Sequence, residues 1–346
     1  MHPRRYSRLC GSPFAWGLTV KHEVLYVATD DGGTLPVIDV THPAFAVSTS
    51  DAELAILSEQ FVQGSKRRQE MLPALRDALK SSLLGRGLLA ASKSVLSGIS
   101  TYLLKLGPDN LGAGAQPIDR SIAESFPVLT VRIRLQDMAR LLADGLKPCL
   151  AAHPERPLLL VNIGGGPAAD SWNALISLHH EPFDLPAGWE TVIAVLDVDE
   201  AGPAFGARAI AALRVLSAPL ERLEIGLRYI RYDWGHAECL REALDQLEAG
   251  RATCAISSEG ALFEYGSDTE IITNLEALHF GTAPDARVVG SVTRDGEPVR
   301  CSQTAHGVAS RPRTMEAFGR LVERAGWGME RIIERPFSYH VRLVKN

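Results

Sequence analysis

Cysteine is scarce in this sequence and badly placed for joint work. Cys10, Cys149, Cys239, Cys254 and Cys301 lie far apart, with no C-x-x-C pair and no histidine-rich companion. That spacing argues against a disulfide framework or a zinc knuckle and predicts a reducing, cytoplasmic setting. No H-E-x-x-H or similar run occurs, so no metal is expected. Long apolar runs are missing as well. The best membrane candidate, LLGRGLLAASKSVLSGISTYLLKLG from Leu83, is broken by Arg86, Lys93 and small polar residues. It falls short of the roughly 18 apolar residues of a span and reads as buried or amphipathic helix. The N-terminal stretch is basic but lacks the apolar centre of a signal peptide. Charge of one sign is also lacking. Lys plus Arg number 36 and Asp plus Glu 41, a net of −5. With aromatics at 6% and none interleaved with Lys66-Arg67-Arg68, no nucleic-acid partner is expected.

What remains is an ordinary globular composition, 46% apolar over 346 residues. Single cores stop growing at roughly 250–300 residues, so two unequal domains are expected. The stretch 147–156 carries two prolines and places a boundary near residue 150. The sequence leaves monomer and homodimer both open.

The first part, 1–150, reads as mainly helical with a small hairpin. Val24 to Val27 and Leu35 to Val40 flank the turn Asp30-Asp31-Gly32-Gly33. Ser50 and Asp51 can cap a helix starting near Ala52. Gly107 to Pro117 reads as a loop, a lid or hinge, with Tyr102 and Asn110 as candidate lid contacts. Residues 128–134 alternate like a strand, and Leu135 to Leu146 read as a helix closing at Gly145.

From 158 onward strand, turn and helix repeat. Strands are expected at 158–163, 191–197, 223–232, 252–257 and 287–293. Helices are expected at 168–180, 203–216, 236–248, 268–279 and 314–325, and two last strands at 328–335 and 338–344. Such alternation implies an α/β fold, a Rossmann-like, mostly parallel sheet with helices on both faces. Ligands of such sheets sit beyond the carboxyl ends of the strands, near the point where strand order reverses.

The sharpest local signal is LLLVNIGGGPAADSW. An apolar strand runs into Gly164, Gly165 and Gly166 and then a helix, which lets a ligand approach the backbone and free amides. Read as G-x-G-x-x-G, the sixth position is Ala169, which the relaxed form permits, so a nicotinamide dinucleotide stays open on these residues alone. The next strand ends in Asp197 and Asp199. A carboxylate there can accept hydrogen bonds from both ribose hydroxyls.

VNIGGGPAAD followed by VLDVDEAG resembles motif I and the second-strand acid of class I S-adenosylmethionine (SAM) methyltransferases. The resemblance covers roughly residues 150–346. It implies SAM as cofactor, a small-molecule substrate, and a domain 151–346 that holds the nucleoside. The glycines would pass under the amino acid and ribose of SAM, and Asp197, or else Asp199, would bind the ribose. In YIRYDWGH, Asp233 would meet the adenine amino group and Trp234 its ring. Ser257 and the segment after it would face the substrate. There Glu259 is the candidate proton acceptor or amine binder, Tyr265 the candidate ring beside the sulfonium, and His306 a candidate base after the fifth strand of the repeat. The family commonly carries an acid where this chain has Asn162. The amide supplies hydrogen bonds but no charge. By the same resemblance, residues 1–150 would roof the site and select the substrate.

LDVDEAGPAFGARAI also resembles nicotianamine synthase, which uses the aminobutanoate arm of SAM. That implies a second chemistry, arm transfer or cyclisation to azetidine-2-carboxylate with release of methylthioadenosine. A non-catalytic SAM-fold module is the third reading, resting on Asn162.

Overall fold

The computed structural model describes residues 23–67, 73–90, 96–180, 189–306 and 309–346. Strands β1 (Tyr26–Ala28) and β2 (Thr34–Pro36) form the expected antiparallel hairpin, pairing Tyr26 with Pro36. Among the described residues six α-helices follow: α1 (Asp51–Arg67), α2 (Pro73–Ser81), α3 (Leu83–Ala90), α4 (Gly98–Lys105), α5 (Pro117–Ala123) and α6 (Phe126–Ala152). Then come β3 (Leu158–Ile163), α7 (Ala169–His180), β4 (Glu190–Asp197), α8 (Ala201–Leu213), β5 (Glu224–Arg231), α9 (Ala237–Gln246) and β6 (Thr253–Ser258). The chain closes with α10 (Leu262–Tyr265), α11 (Asp268–Gly281), β7 (Arg287–Thr293), α12 (Glu297–His306), α13 (Met315–Arg324), β8 (Trp327–Glu334) and β9 (Ser338–Lys345).

Among the described residues seven strands make one sheet in the order β5-β4-β3-β6-β7-β9-β8. The first five in that order run parallel, and β9 is antiparallel to both β7 and β8. Strand β3 is buried along its whole length, as an inner parallel strand covered on both faces must be. The chain winds from β3 outward to β5, then returns to β6 on the other side. The reversal therefore falls between β3 and β6, and their carboxyl ends are where a crevice opens.

The apolar core lies in two layers. One face packs Trp172, Tyr102, Phe205 and the inner side of α6. The other packs Phe263, Phe318 and Trp327 with α9, α11 and α13. Among the described residues no helix is long and apolar enough to cross a membrane.

Three expectations fail in the first part. Residues 128–134 are not a strand. They open the 27-residue helix α6, which starts after Ser125 with Pro127 in its first turn. The helix lies against α4, α7, β6, β7 and β9. Buried on most sides, it carries apolar residues all round, and its 3.6-residue period is blurred into apparent alternation. Nor does the helix close at Gly145. A Cβ at Gly145 would stand 2.9 Å from the Arg342 side chain, whose guanidinium donates to the Leu141 carbonyl at 3.2 Å. The glycine admits a crossing arginine rather than ending a helix. Tyr102 and Asn110 are pins, not lid contacts. The Tyr102 hydroxyl donates to the Pro36 carbonyl and accepts from Ile38 N, while Asn110 donates to the Ala44 and Leu106 carbonyls.

Candidate functional site

The glycine turn begins where β3 ends. Gly164 N donates to the Leu196 carbonyl at 2.8 Å, carrying the β3–β4 ladder one step further. Gly164 and Gly166 then take φ of 64° and 53°, and Ala168 takes 63°. Left-handed backbone at a non-glycine residue costs on the order of 1–3 kcal/mol, so the surroundings must hold Ala168 in place. Each glycine is also required by close packing. Added Cβ atoms would stand 2.6 Å from Ala261 Cβ at Gly164, 1.1 Å from Asn162 Oδ1 at Gly165, and 2.6 Å from Gly98 Cα at Gly166. Part of the room that three glycines create is thus taken by the protein, including the first residue of α4.

Asp197, at the end of β4, turns toward this bend. Its Oδ2 accepts from Gly166 N at 2.9 Å and its Oδ1 from Asp199 N at 3.1 Å. Burial pushes its carboxyl upward, and those two amides pull it back. Asp199 points elsewhere, accepting from Ala201 N at the start of α8. Between the two acids Val198 is 60% exposed. Asp233 lies exposed past the end of β5 and accepts from Gly235 N at 2.9 Å. Trp234 is half-buried. Its ring stands 3.1 Å from where a Gly164 side chain would begin, and its carbonyl accepts from Asn274.

The end of β6 is different in kind. Glu259 is 6% exposed and bound on both oxygens. Lys105 Nζ from the end of α4 donates to Oε2, and Arg134 Nε from α6 donates to Oε1 at 2.7 Å. Arg134 also reaches Glu264 at 3.1 Å, which accepts from Ser291 Oγ on β7 at 2.6 Å. Burial alone would raise the Glu259 carboxyl. The two cations overturn that and hold it at about 2. Such a group is ionised at neutral pH and is a poor proton acceptor, which departs from one of the two roles expected of Glu259. Tyr265 ends α10 beside this cluster, its hydroxyl pushed up to about 12, first by burial and then by Glu264. His306 is the last residue of α12 rather than part of a loop, and its side chain lies outside the described ones.

The structure brings Asn162, Gly164, Gly165, Gly166, Asp197, Trp234, Ser257 and Glu259 to the carboxyl ends of β3, β4 and β6. Asp233 stands one strand further out. Lys105, Arg134 and Asp170 belong to the same group, and sequence reasoning missed all three. The available signal was charge inside apolar stretches, YLLKLG and VRIRL, which marks a cation that will need a buried partner.

No protein-family model matches the chain, and no curated protein matches it. Solved structures do. A possible exported protein from Bordetella parapertussis is 18% identical, with a TM-score of 0.54, over 85% of this chain and 96% of that one. The mitomycin 7-O-methyltransferase MmcR is 14% identical, with a TM-score of 0.41, over 82% and 75%. Magnesium protoporphyrin IX methyltransferase from Synechocystis, solved with S-adenosylhomocysteine, is 14% identical, with a TM-score of 0.39, over 62% and 87%. What this chain shares with the Bordetella protein is its fold, an α/β architecture of Rossmann-like type.

Proposed function

We propose that this chain binds SAM across the carboxyl ends of β3, β4 and β5 and transfers its methyl group to a small metabolite. One observation carries the reading. The Asp197 carboxylate is set against the Gly166 amide, so the acid that would hold a ribose is physically joined to the turn that would pass beneath the amino-acid tail. The sheet agrees. An antiparallel β9 inserted beside β7 departs from the 3-2-1-4-5-6 order of dinucleotide-binding sheets.

The residues fit the nucleoside half of SAM. Asp197 and Asp233 keep unused acceptor positions, with Val198 exposed and the Trp234 ring half-buried beside them. Over the tail half the fit is narrow, because Trp234, Ala261 and Gly98 stand against the turn. When bound, SAM supplies a methyl group already activated on sulfonium. What the chain must add is alignment of a nucleophile behind that methyl, and often little else. Glu259 serves as an ionised anchor that ties α4 and α6 to the end of β6. Tyr265, neutral at pH 7, offers a ring and a hydroxyl rather than a base. His306 is the proposed proton acceptor by its position after β7 alone. Residues 1–150 are proposed as the roof and 151–346 as the nucleoside-binding part. The free thiols of Cys149, Cys239, Cys254 and Cys301 support a cytoplasmic setting.

The seating of α4 directly on the glycine turn favours a second reading, use of the aminobutanoate arm, by transfer or by cyclisation, the latter needing no second substrate. One experiment separates the readings: incubation with SAM, with and without an amine and hydroxyl acceptor library, and mass spectrometry of the products. S-adenosylhomocysteine that depends on an acceptor supports methyl transfer. Methylthioadenosine from SAM alone, above the uncatalysed background, supports the second reading. No calorimetric binding of SAM defeats both and leaves a non-catalytic module.

A further inference from the structure

The polar group buried under the glycine turn is short of partners. Asn162 on β3 is fully buried, and Asp170 on the first turn of α7 is 2% exposed. Asn162 Nδ2 lies 2.6 Å from Asp170 Oδ1, 2.8 Å from Ser257 Oγ and 3.1 Å from Ser171 Oγ. Asp170 Oδ1 also accepts from Ser171 N at 2.8 Å. Among the described residues, Asn162 Oδ1 and Asp170 Oδ2 have no hydrogen-bond partner at all. Turning the amide over does not cure this. Whichever way the amide is turned, Asp170 Oδ2 stays without a partner.

A buried acceptor left without a donor costs about 1–3 kcal/mol, and more when charged. Two of them in one place call for a donor-rich visitor. Both are acceptors, so a carboxylate or phosphate is the wrong visitor and a cationic amine the right one. They lie directly beneath the stretch assigned above to the amino-acid tail of SAM. That tail carries one such group, an ammonium with three N–H donors. On this basis, which rests on the SAM reading, we propose that Asp170 and Asn162 form the receptor for the α-ammonium group of SAM. Asp170 brings from α7 the negative charge that β3 does not carry. Gly165 is the cover. Its Cα rests on Asn162 Oδ1, and seating the ammonium requires the turn to lift there, where glycine yields most readily. Burial, and then the charge of Glu259, push the Asp170 carboxyl up, while Ser257, Lys105 and Asn162 oppose them. An arriving cation lowers it again, so at any pH where Asp170 still holds its proton, binding releases that proton.

The test is calorimetric and needs no turnover. Three ligands are titrated into the full chain: S-adenosylhomocysteine, its analogue lacking only the α-amino group, and methylthioadenosine, which lacks the whole tail. The wild-type chain is expected to bind the first about tenfold or more tighter than the second, as a charge-assisted contact requires. Asp170→Asn is expected to bind those two within about threefold of each other and to hold methylthioadenosine as wild type does. Titrations of the wild-type chain in buffers of different ionisation enthalpy, repeated down the acid range, should show more proton release with the amino ligand than with its deaminated analogue. This second measurement stands even where the variant fails to fold. Equal wild-type affinity for the two ligands overturns the proposal, as does equal proton release or full discrimination by a folded Asp170→Asn. If none of the three ligands binds, it is the SAM reading that fails, and the proposal falls with it.

Discussion

The acids at the ends of β4 and β5 and the acids around β3 and β6 differ in what surrounds them. Asp197, Asp199 and Asp233 meet mainly backbone amides and remain partly or largely open to water. Glu259, Glu264 and Asp170 are closed in, and their partners are side chains from both parts of the chain. Open acids with spare acceptor positions suit a ligand that comes and goes. Closed acids held by cations, as Glu259 and Glu264 are, fix the walls between which it lands. One end of the sheet thus carries two different electrostatic environments, separated by the width of a single strand.

That contrast can be broken or sharpened by substitution. The largest effect is expected at the closed end. Lys105→Met leaves Glu259 with one cation fewer in a dry setting and should destabilise the fold by about 3–5 kcal/mol, read as a lower urea midpoint. Lys105→Met with Glu259→Gln removes both charges and should recover much of that loss. Next in size is Asp197→Ala at the open end. It should weaken SAM by about 1–3 kcal/mol in calorimetry while the urea midpoint moves little. Unchanged affinity in the folded variant would remove the sugar from that carboxylate.

Acid titration separates the two environments further. Glu259 is held at about 2 against an ordinary 4.5. A lowered value in the folded state means that the stability it adds is complete above pH 4.5 and is lost as pH falls toward 2. Circular dichroism across that window should show a shallower decline for Glu259→Gln than for wild type. The smallest effect is expected from Asp199→Ala. It removes an acceptor at the start of α8, costs about 1 kcal/mol of stability, and should leave SAM affinity within about twofold. A large loss of affinity there would move the sugar from Asp197 to its neighbour.

The sheet was legible because its inner strands β3, β4, β6 and β7 are mostly buried runs closed by turn residues. Every strand from β3 to β9 falls within two residues of its expected place. The glycine turn and the acids beyond it were legible for the same reason, since loops after strands are short and local. The closed cluster was not. Lys105 and Glu259 are 154 residues apart, and Arg134 and Glu259 are 125 apart. No local pattern ties a cation to an anion at such a distance, and reading 128–134 as a strand hid Arg134 in a false alternation. Asp170 looked like one more polar residue opening a helix, where acids are common near the positive end of the dipole. Only its neighbours in space set it apart.

The position of β9 has a consequence for how this protein is made. It fills the gap between β7 and β8, yet it follows both of them in the chain. While the ribosome is still adding residues before Ser338, the backbone edge of β7 has nothing to bond with and invites any extended segment that drifts by. The β7-β9-β8 arrangement can therefore form only once residues 338–345 have been made.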